Sequence, residues 1–320
     1  MTTAGGSGVT AAHRSDPPPA PFGRVLVAAV TPFTADGADV DVDAASRLAE
    51  HLVDAGCDGL VVSGTTGESP TTSDDEKERL LRAVVEAVGD RAQVVAGVGT
   101  AHTEHSAALG ATAARAGAHG LLVVAPYYSR PTQDGVVAHV EAVAAAGDGL
   151  PVMLYDVPAR TSLAFETATL LRLASHPQVV ALKDAKGDLA ATADVLAASD
   201  LAVYSGSDEL NLPLLALGAS GVVSVTGHVV AGALREQADL VDAGDLAAAR
   251  PDALRLVAVQ RLLFARPAVE TVKAVLRAGG LPVGPVRSPL LDLDDDETSA
   301  LLERLAAVGV ARGASGSLAG

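Results

Sequence analysis

The chain has 320 residues, a formal net charge of -16 and no tryptophan; it is long enough for one large domain with a substantial core. An acidic body without basic clusters or stacking aromatics disfavours nucleic-acid binding. The single cysteine, Cys57, excludes a disulfide framework and a cysteine metal site, and no stretch is apolar and long enough to span a bilayer.

Residues 1–21, rich in Gly, Ser and Pro and lacking the apolar core of a signal peptide, read as a disordered tail, and the cytoplasm is the expected compartment. From Arg24 onward, branched-apolar runs alternate with alanine-rich helical patterns. RVLVAAVTPF from Arg24 is followed by the helical DAASRLAEHLVDAG from Asp43. GLVVSG from Gly59 leads through SGTTGES to DDEKERLLRAVVEAVG from Asp74, where Ser73 and Glu76 form a capping-box signature. QVVAGVG from Gln93, GLLVVAP from Gly120, PVMLYDVP from Pro151, QVVALKDA from Gln178, LAVYSGSD from Leu201 and GVVSVTGH, ending at His228, bring the series to eight. Continuous apolar runs, as opposed to alternating ones, mark parallel strands covered on both faces. Eight strand-helix units in roughly 250 residues point to a (β/α)8 TIM barrel, here over 22–230, because a doubly wound sheet has fewer strands and needs a switch point. After His228 the helical patterns ALREQADLVDAGD, PAVETVKAVLRAGG and DETSALLERLAAVGV read as a C-terminal helical extension over 231–313, with 314–320 a flexible tail. The acidic run LDLDDDE at Asp292 suits a loop and a helix N-terminus.

A barrel places its chemistry where strands end. Lys183 ends the sixth run and is one of four lysines, with Lys77, Lys186 and Lys273. An ammonium group at the mouth of a buried strand costs free energy unless it is paired or sheds its proton, and the deprotonated amine is a Schiff-base nucleophile. The plainer alternative is a lysine reaching solvent and pairing with Asp184 or Asp188. Tyr155 closes the neighbouring strand, where a phenol can shuttle protons or simply pack with a satisfied hydroxyl. Thr65 and Thr66 offer hydroxyls and N–H groups shaped for a small carboxylate; a tight connection alone does not need both, since Ser73 supplies the helix cap. The missing Gly-Lys-Ser/Thr ending rules out a P-loop. Arg160 in YDVPART can grip a carboxylate bidentately or stand as an exposed loop arginine. Tyr127 and Tyr128 in APYYSRP suit an interface patch, a site in a neighbouring subunit, or both. His102, His105, His119, His139 and His176 lack the carboxylate spacing of a metal site, so no metal is expected; His228 stands apart at the end of the last run.

GTTGES, APYYSRPTQDG, YDVPARTS, VVALKDA, YSGSDELNLP and GVVSVTGH, in this order, resemble the 4-hydroxy-tetrahydrodipicolinate (dihydrodipicolinate) synthase family of class I pyruvate-dependent aldolases and lyases. The resemblance runs from Arg24 to Arg312, and several separate motifs agree in order and spacing. It implies that Lys183 forms a Schiff base with pyruvate and that Tyr155 is the proton donor and acceptor. Thr65 and Tyr128, the latter from an adjacent subunit, would complete a proton relay. Thr66, Gly206 and the backbone near Val223 would form the pyruvate pocket. Arg160 would bind the carboxylate of L-aspartate-4-semialdehyde, which separates this branch from the N-acetylneuraminate lyases. The implied reaction is the condensation of pyruvate with that aldehyde, toward diaminopimelate and lysine, without cofactor, in a homotetramer built as a dimer of dimers.

Some residues depart from the family pattern. Ser207 stands where many members carry an acid, and VSVTGH replaces an asparagine-containing ending; both bear on pocket shape. Lysine-inhibited bacterial relatives place histidines early in helix two and Asn and Glu after strand three. The aligned positions here hold Asp74, Lys77, Ala101 and His105, so weak or absent inhibition by lysine is expected. Competing readings are a sister pyruvate aldolase, a phosphate-binding (β/α)8 isomerase and a non-catalytic paralogue. The isomerase would need an anion site after strands seven and eight, which SGSDELN and TGHVVAG do not resemble. The paralogue would be marked by loss of Lys183 or Tyr155, and both are present.

Overall fold

Each apolar run becomes a short parallel strand hydrogen-bonded to the next in sequence order, and β8 (Gly221–Ser224) returns to β1 (Val25–Ala28) to close an eight-stranded barrel. The structure is a computed structural model and describes residues 19–310; the tails expected over 1–21 and 314–320 lie outside the described residues, apart from 19–21. The remaining strands are β2 (Gly59–Val62), β3 (Gln93–Gly97), β4 (Gly120–Val124), β5 (Val152–Asp156), β6 (Val179–Asp184) and β7 (Ala202–Ser205). Between them run α1 (Val42–Asp54), α2 (Asp74–Val88), α3 (Thr103–Arg115), α4 (Gln133–Ala146), the single turn α5 (Pro158–Thr161), α6 (Thr167–Ala174), α7 (Leu189–Ala198) and α8 (Asn211–Ala216). The fold is thus a TIM barrel, continued by α9 (Gly227–Asp242), α10 (Leu246–Leu263), α11 (Ala268–Ala278) and α12 (Asp295–Ala307).

Burial on both faces explains the unbroken apolar runs. Leu26, Val61, Val95, Met153, Ala181 and Val223 point into the barrel, whereas Val27, Leu60, Val94, Leu154, Leu182 and Val222 pack beneath the helices. A fully buried side chain of this size contributes roughly 1.5–3 kcal/mol. The β8–β1 seam depends on a close approach: a Cβ at Gly221 would lie 2.3 Å from the Arg24 carbonyl oxygen, so a Gly221→Ala change would push the seam apart.

Helix starts follow the sequence signals. Ser73 and Glu76 form the reciprocal capping box of α2, and Asp294 and Glu297 form that of α12, so the acidic run at Asp292 does end in a helix N-terminus. Such a cap stabilises by about 1 kcal/mol. α9 packs against β1 and α1 and completes the ring of helices around the barrel. β8 ends at Ser224, short of His228, which lies in the first turn of α9. The reason is Asp208, whose buried carboxylate accepts the N–H groups of Val225 and Thr226, each at 2.9 Å, and turns the chain out of the sheet.

Candidate active site

Lys183 and Tyr155 face each other across the β5–β6 ladder, where they are partners in register. Each lies two residues beyond an inward-facing side chain, Met153 or Ala181, and strand alternation therefore points both into the barrel. Lys183 is 4% exposed, and its Nζ sits 4.3 Å from the centroid of the Tyr155 ring. It has no hydrogen bond or ion pair among the described residues beyond its strand ladder. The pairing with Asp184 or Asp188 that the sequence left open does not occur. Asp184 accepts the Thr192 hydroxyl and the Lys186 N–H, and Asp188 caps α7 through the Ala191 N–H at 3.0 Å. Gly206 gives the lysine its room: a Cβ there would stand 3.0 Å from Lys183 Cγ and 3.1 Å from the Asp184 carbonyl oxygen.

Above Tyr155 opens a cavity of about 240 Å³, lined by Thr65, Tyr127, Tyr155, Arg160 and Thr161 among others. That is smaller than the roughly 300–1,000 Å³ of sites for drug-sized ligands, so it suits a small metabolite. Four of the residues singled out in the sequence, Thr65, Tyr127, Tyr155 and Arg160, line it together, whereas Lys183 and Thr66 do not. Arg160 lies in α5, is exposed, and its guanidinium has no partner among the described residues. A free fork of donors at the rim of an acidic protein is a local device for holding a carboxylate.

The turn after β2 is tightly built. Ser63 (φ 54°) and Glu68 (φ 55°) both take the left-handed conformation, which costs a non-glycine residue on the order of 1–3 kcal/mol. The N–H groups of Gly67 and Ser69 both donate to the Gly64 carbonyl, and the Thr31 hydroxyl donates to the Gly67 carbonyl at 2.7 Å. The N–H groups of Thr65 and Thr66 donate to nothing among the described residues. Thr66 is buried beside the exposed Thr65.

The other sequence candidates lie around this centre. Val223 faces the barrel interior from β8. Tyr128 is 93% exposed and has a φ of 69°, and it does not line this cavity. His228 is a structural residue: its Nε2 accepts the Val30 N–H at 3.1 Å and its Nδ1–H donates to the Val225 carbonyl at 2.8 Å. Burial pushes its pKa down to about 4, so the ring stays neutral and ties the end of β1 to the turn after β8. Asp208, which sequence reasoning passed over, organises that turn further by accepting from Asn211 and Ser224; its only signal was an acid just past the seventh strand. Between α2 and α3, His105 Nε2 is 3.0 Å from both carboxylate oxygens of Asp74, and Lys77 donates to the Thr72 carbonyl.

Residues 21–308 match the model of the Dihydrodipicolinate synthetase family. The chain is 58% identical over 293 residues to 4-hydroxy-tetrahydrodipicolinate synthase 2 of Streptomyces coelicolor, covering 92% of this chain and 97% of that protein. It is 57% identical over 307 residues to the 4-hydroxy-tetrahydrodipicolinate synthase of Acidothermus cellulolyticus, covering 93% and 96%. Among solved structures it is similar to the DHDPS of Cyanidioschyzon merolae with lysine bound, with a TM-score of 0.88 and 40% identity over 91% of this chain and 99% of that one.

Proposed function

The chain belongs to the dihydrodipicolinate synthetase family, and from that premise we propose how its own residues divide the reaction. The activity is that of a lyase condensing pyruvate with L-aspartate-4-semialdehyde to 4-hydroxy-tetrahydrodipicolinate, in the synthesis of diaminopimelate and lysine. The observation that carries the division is the buried Lys183 amine without a counter-ion, 4.3 Å from the Tyr155 ring.

The free amine of Lys183 adds to the pyruvate ketone, and the carbinolamine loses water to give an iminium ion. That positive charge is the electron sink: a methyl proton leaves and an enamine forms. The Tyr155 hydroxyl carries protons in both steps, relayed through Thr65 and the partner subunit's Tyr128. The enamine carbon attacks the aldehyde, whose carboxylate is held by Arg160, and the alkoxide takes up a proton. The amino group of the former aldehyde then adds to the iminium carbon and expels Lys183 as a free amine. The iminium does the work of an electron-withdrawing cofactor, so the scheme calls for none. Thr66 and the unpaired N–H groups of its turn receive the pyruvate carboxylate, with Gly206 and the Val223 backbone lining the same pocket.

A relay through Tyr128 needs at least a dimer, and the high exposure of that ring supports a role in a neighbouring subunit. We assign a homotetramer, a dimer of dimers, working in the cytoplasm; no helix among the described residues is long and apolar enough to cross a membrane. Between α2 and α3, the mutual pairing of Asp74 and His105 and the nearby Lys77 ammonium group support weak or absent inhibition by lysine. An inhibition constant below about a millimolar in a steady-state assay would contradict this.

Borohydride reduction with pyruvate, followed by peptide mass mapping, tests the central assignment. The expected result is a label on Lys183 together with turnover of aspartate semialdehyde. A label elsewhere would remove the Schiff-base role from Lys183, and a label on Lys183 without turnover of the semialdehyde would move the second substrate to that of a sister aldolase.

A further inference from the structure

The turn that carries Thr65 and Thr66 ends at Glu68, and the side chain of Glu68 is held by residues far along the chain. Glu68 is 3% exposed. One oxygen, Oε1, pairs at 2.6 Å with Nζ of Lys273 on α11, a lysine with no solvent exposure at all. The other, Oε2, accepts the Arg287 N–H at 2.8 Å. Lys273 also donates to the Pro285 carbonyl at 2.8 Å and stands 4.2 Å over the Phe33 ring. The opposite end of this cluster is fixed too, because the Arg287 guanidinium lies 4.0 Å from the same ring and pairs with Glu76 at the start of α2.

We propose that Lys273 is a positioning residue for the reaction: acting through Glu68, it holds the turn after β2 in the conformation that receives the pyruvate carboxylate. The inference rests on the reading of Thr65 and Thr66 as the carboxylate-binding turn. Glu68 is one of the two residues in that turn held at positive φ, and Lys273 is the counter-ion of its buried charge. Without the ammonium group, the Glu68 side chain loses its tie to α11, and its carboxylate, left with the Arg287 N–H, is drawn toward water. Its backbone then relaxes out of the left-handed conformation, and the N–H groups two and three residues earlier move with it. A displacement of about an ångström is enough to spoil a pre-organised anion site. The helices beyond the barrel thereby act on the substrate site without touching substrate.

Steady-state kinetics of Lys273→Met, measured well below its melting midpoint, give the test. The expected outcome is a KM for pyruvate raised about tenfold or more, with kcat and the KM for aspartate semialdehyde changed by less than about twofold. The double variant Glu68→Gln/Lys273→Met leaves no stranded buried charge and keeps an acceptor for the Arg287 N–H, so it serves if the single variant does not fold. It too lacks the ion pair that ties the residue 68 side chain to α11, so the loosened turn is expected to raise the KM for pyruvate, by less than in the single variant. An unchanged KM for pyruvate in either folded variant, whatever the loss in melting temperature, makes Lys273 a structural tie only and overturns the proposal. Thr66→Ala separates the two readings. If it raises the KM for pyruvate while the Lys273 variants do not, the positioning role alone fails; if Thr66→Ala leaves that KM unchanged, the carboxylate reading of the turn fails and the positioning role with it.

Discussion

Lys183 and Lys273 are 4% and 0% exposed, and the Nζ of each stands over an aromatic ring, Tyr155 at 4.3 Å and Phe33 at 4.2 Å. Around Lys273 the turn after β2 supplies a carboxylate and the segment after α11 a carbonyl oxygen, both at hydrogen-bonding distance. Around Lys183 the barrel mouth supplies neither, and the nearest acid in sequence, Asp184, is occupied elsewhere. Burial pushes the pKa of Lys273 down to about 8, against the pull of Glu68. A charge balanced in this way is a tie between two parts of the fold, and breaking it strands its partner. An amine with no partner strands nothing when it forms a bond to carbon. Burial alone therefore does not single out a reactive lysine; what distinguishes Lys183 is burial without a counter-ion among the described residues, beside the ring of Tyr155, which lines the cavity.

The largest effect that could break this contrast comes from Lys183→Ala. It is expected to lower kcat on the order of 10⁴-fold or more and to abolish borohydride labelling, while the melting midpoint stays level or rises because no buried carboxylate loses its partner. Removing one member of a buried pair, as in Lys273→Met, costs about 3–5 kcal/mol. Thermal unfolding of the two variants side by side checks the contrast. If Lys183→Ala loses as much stability as Lys273→Met, the mouth lysine is a tie as well.

The two lysines were not equally legible. The eight strands could be read because both faces of each are covered, which leaves unbroken apolar runs. Lys183 could be singled out because an ammonium group ending such a run costs free energy unless it is paired or sheds its proton, but which of the two holds needed the fold. Lys273 sits in PAVETVKAVLRAGG, where a lysine in a helical pattern calls for no explanation, and its partner Glu68 lies in a motif whose glycines and threonines draw the attention. Which helix face turns inward, and onto which loop, is decided by tertiary packing that no local pattern encodes. The end of β8 escaped for the same reason: Ser224 to His228 reads as a continuing strand until the carboxylate of Asp208 is brought against it. Arg160 was legible as a cation near a strand end, but that its guanidinium is left without a partner could be learned only from the fold.

Asp156, another buried titratable group, gives a smaller, finer test of the same contrast. It is 1% exposed on the outer face of β5, in register with Asp184 of β6, and Oδ1 accepts the Phe165 N–H at 3.2 Å. Unlike Glu68, it has no cation within bonding distance among the described residues. Burial pushes its pKa from 3.8 up to about 6, with Lys186 pulling down and Asp184 pushing up. Above pH 6 the carboxylate is charged in both folded and unfolded chains, and the folded state carries the full cost, roughly 3 kcal/mol at most. Between pH 6 and 3.8 the folded state binds the extra proton, so the cost fades as the pH falls. Asp156→Asn keeps an acceptor for the Phe165 N–H and discards the charge. At pH 7.5 it is expected to stabilise the fold by about 1–3 kcal/mol, and at pH 4.5 by much less, as read from unfolding curves of variant and parent at both values. His228, buried and neutral with its pKa near 4, destabilises both proteins equally as the pH drops below 6.5, so the difference between them isolates Asp156. A variant no more stable than the parent at pH 7.5 would mean that this site compensates its charge as fully as the Glu68 site does, through the Phe165 N–H and Lys186.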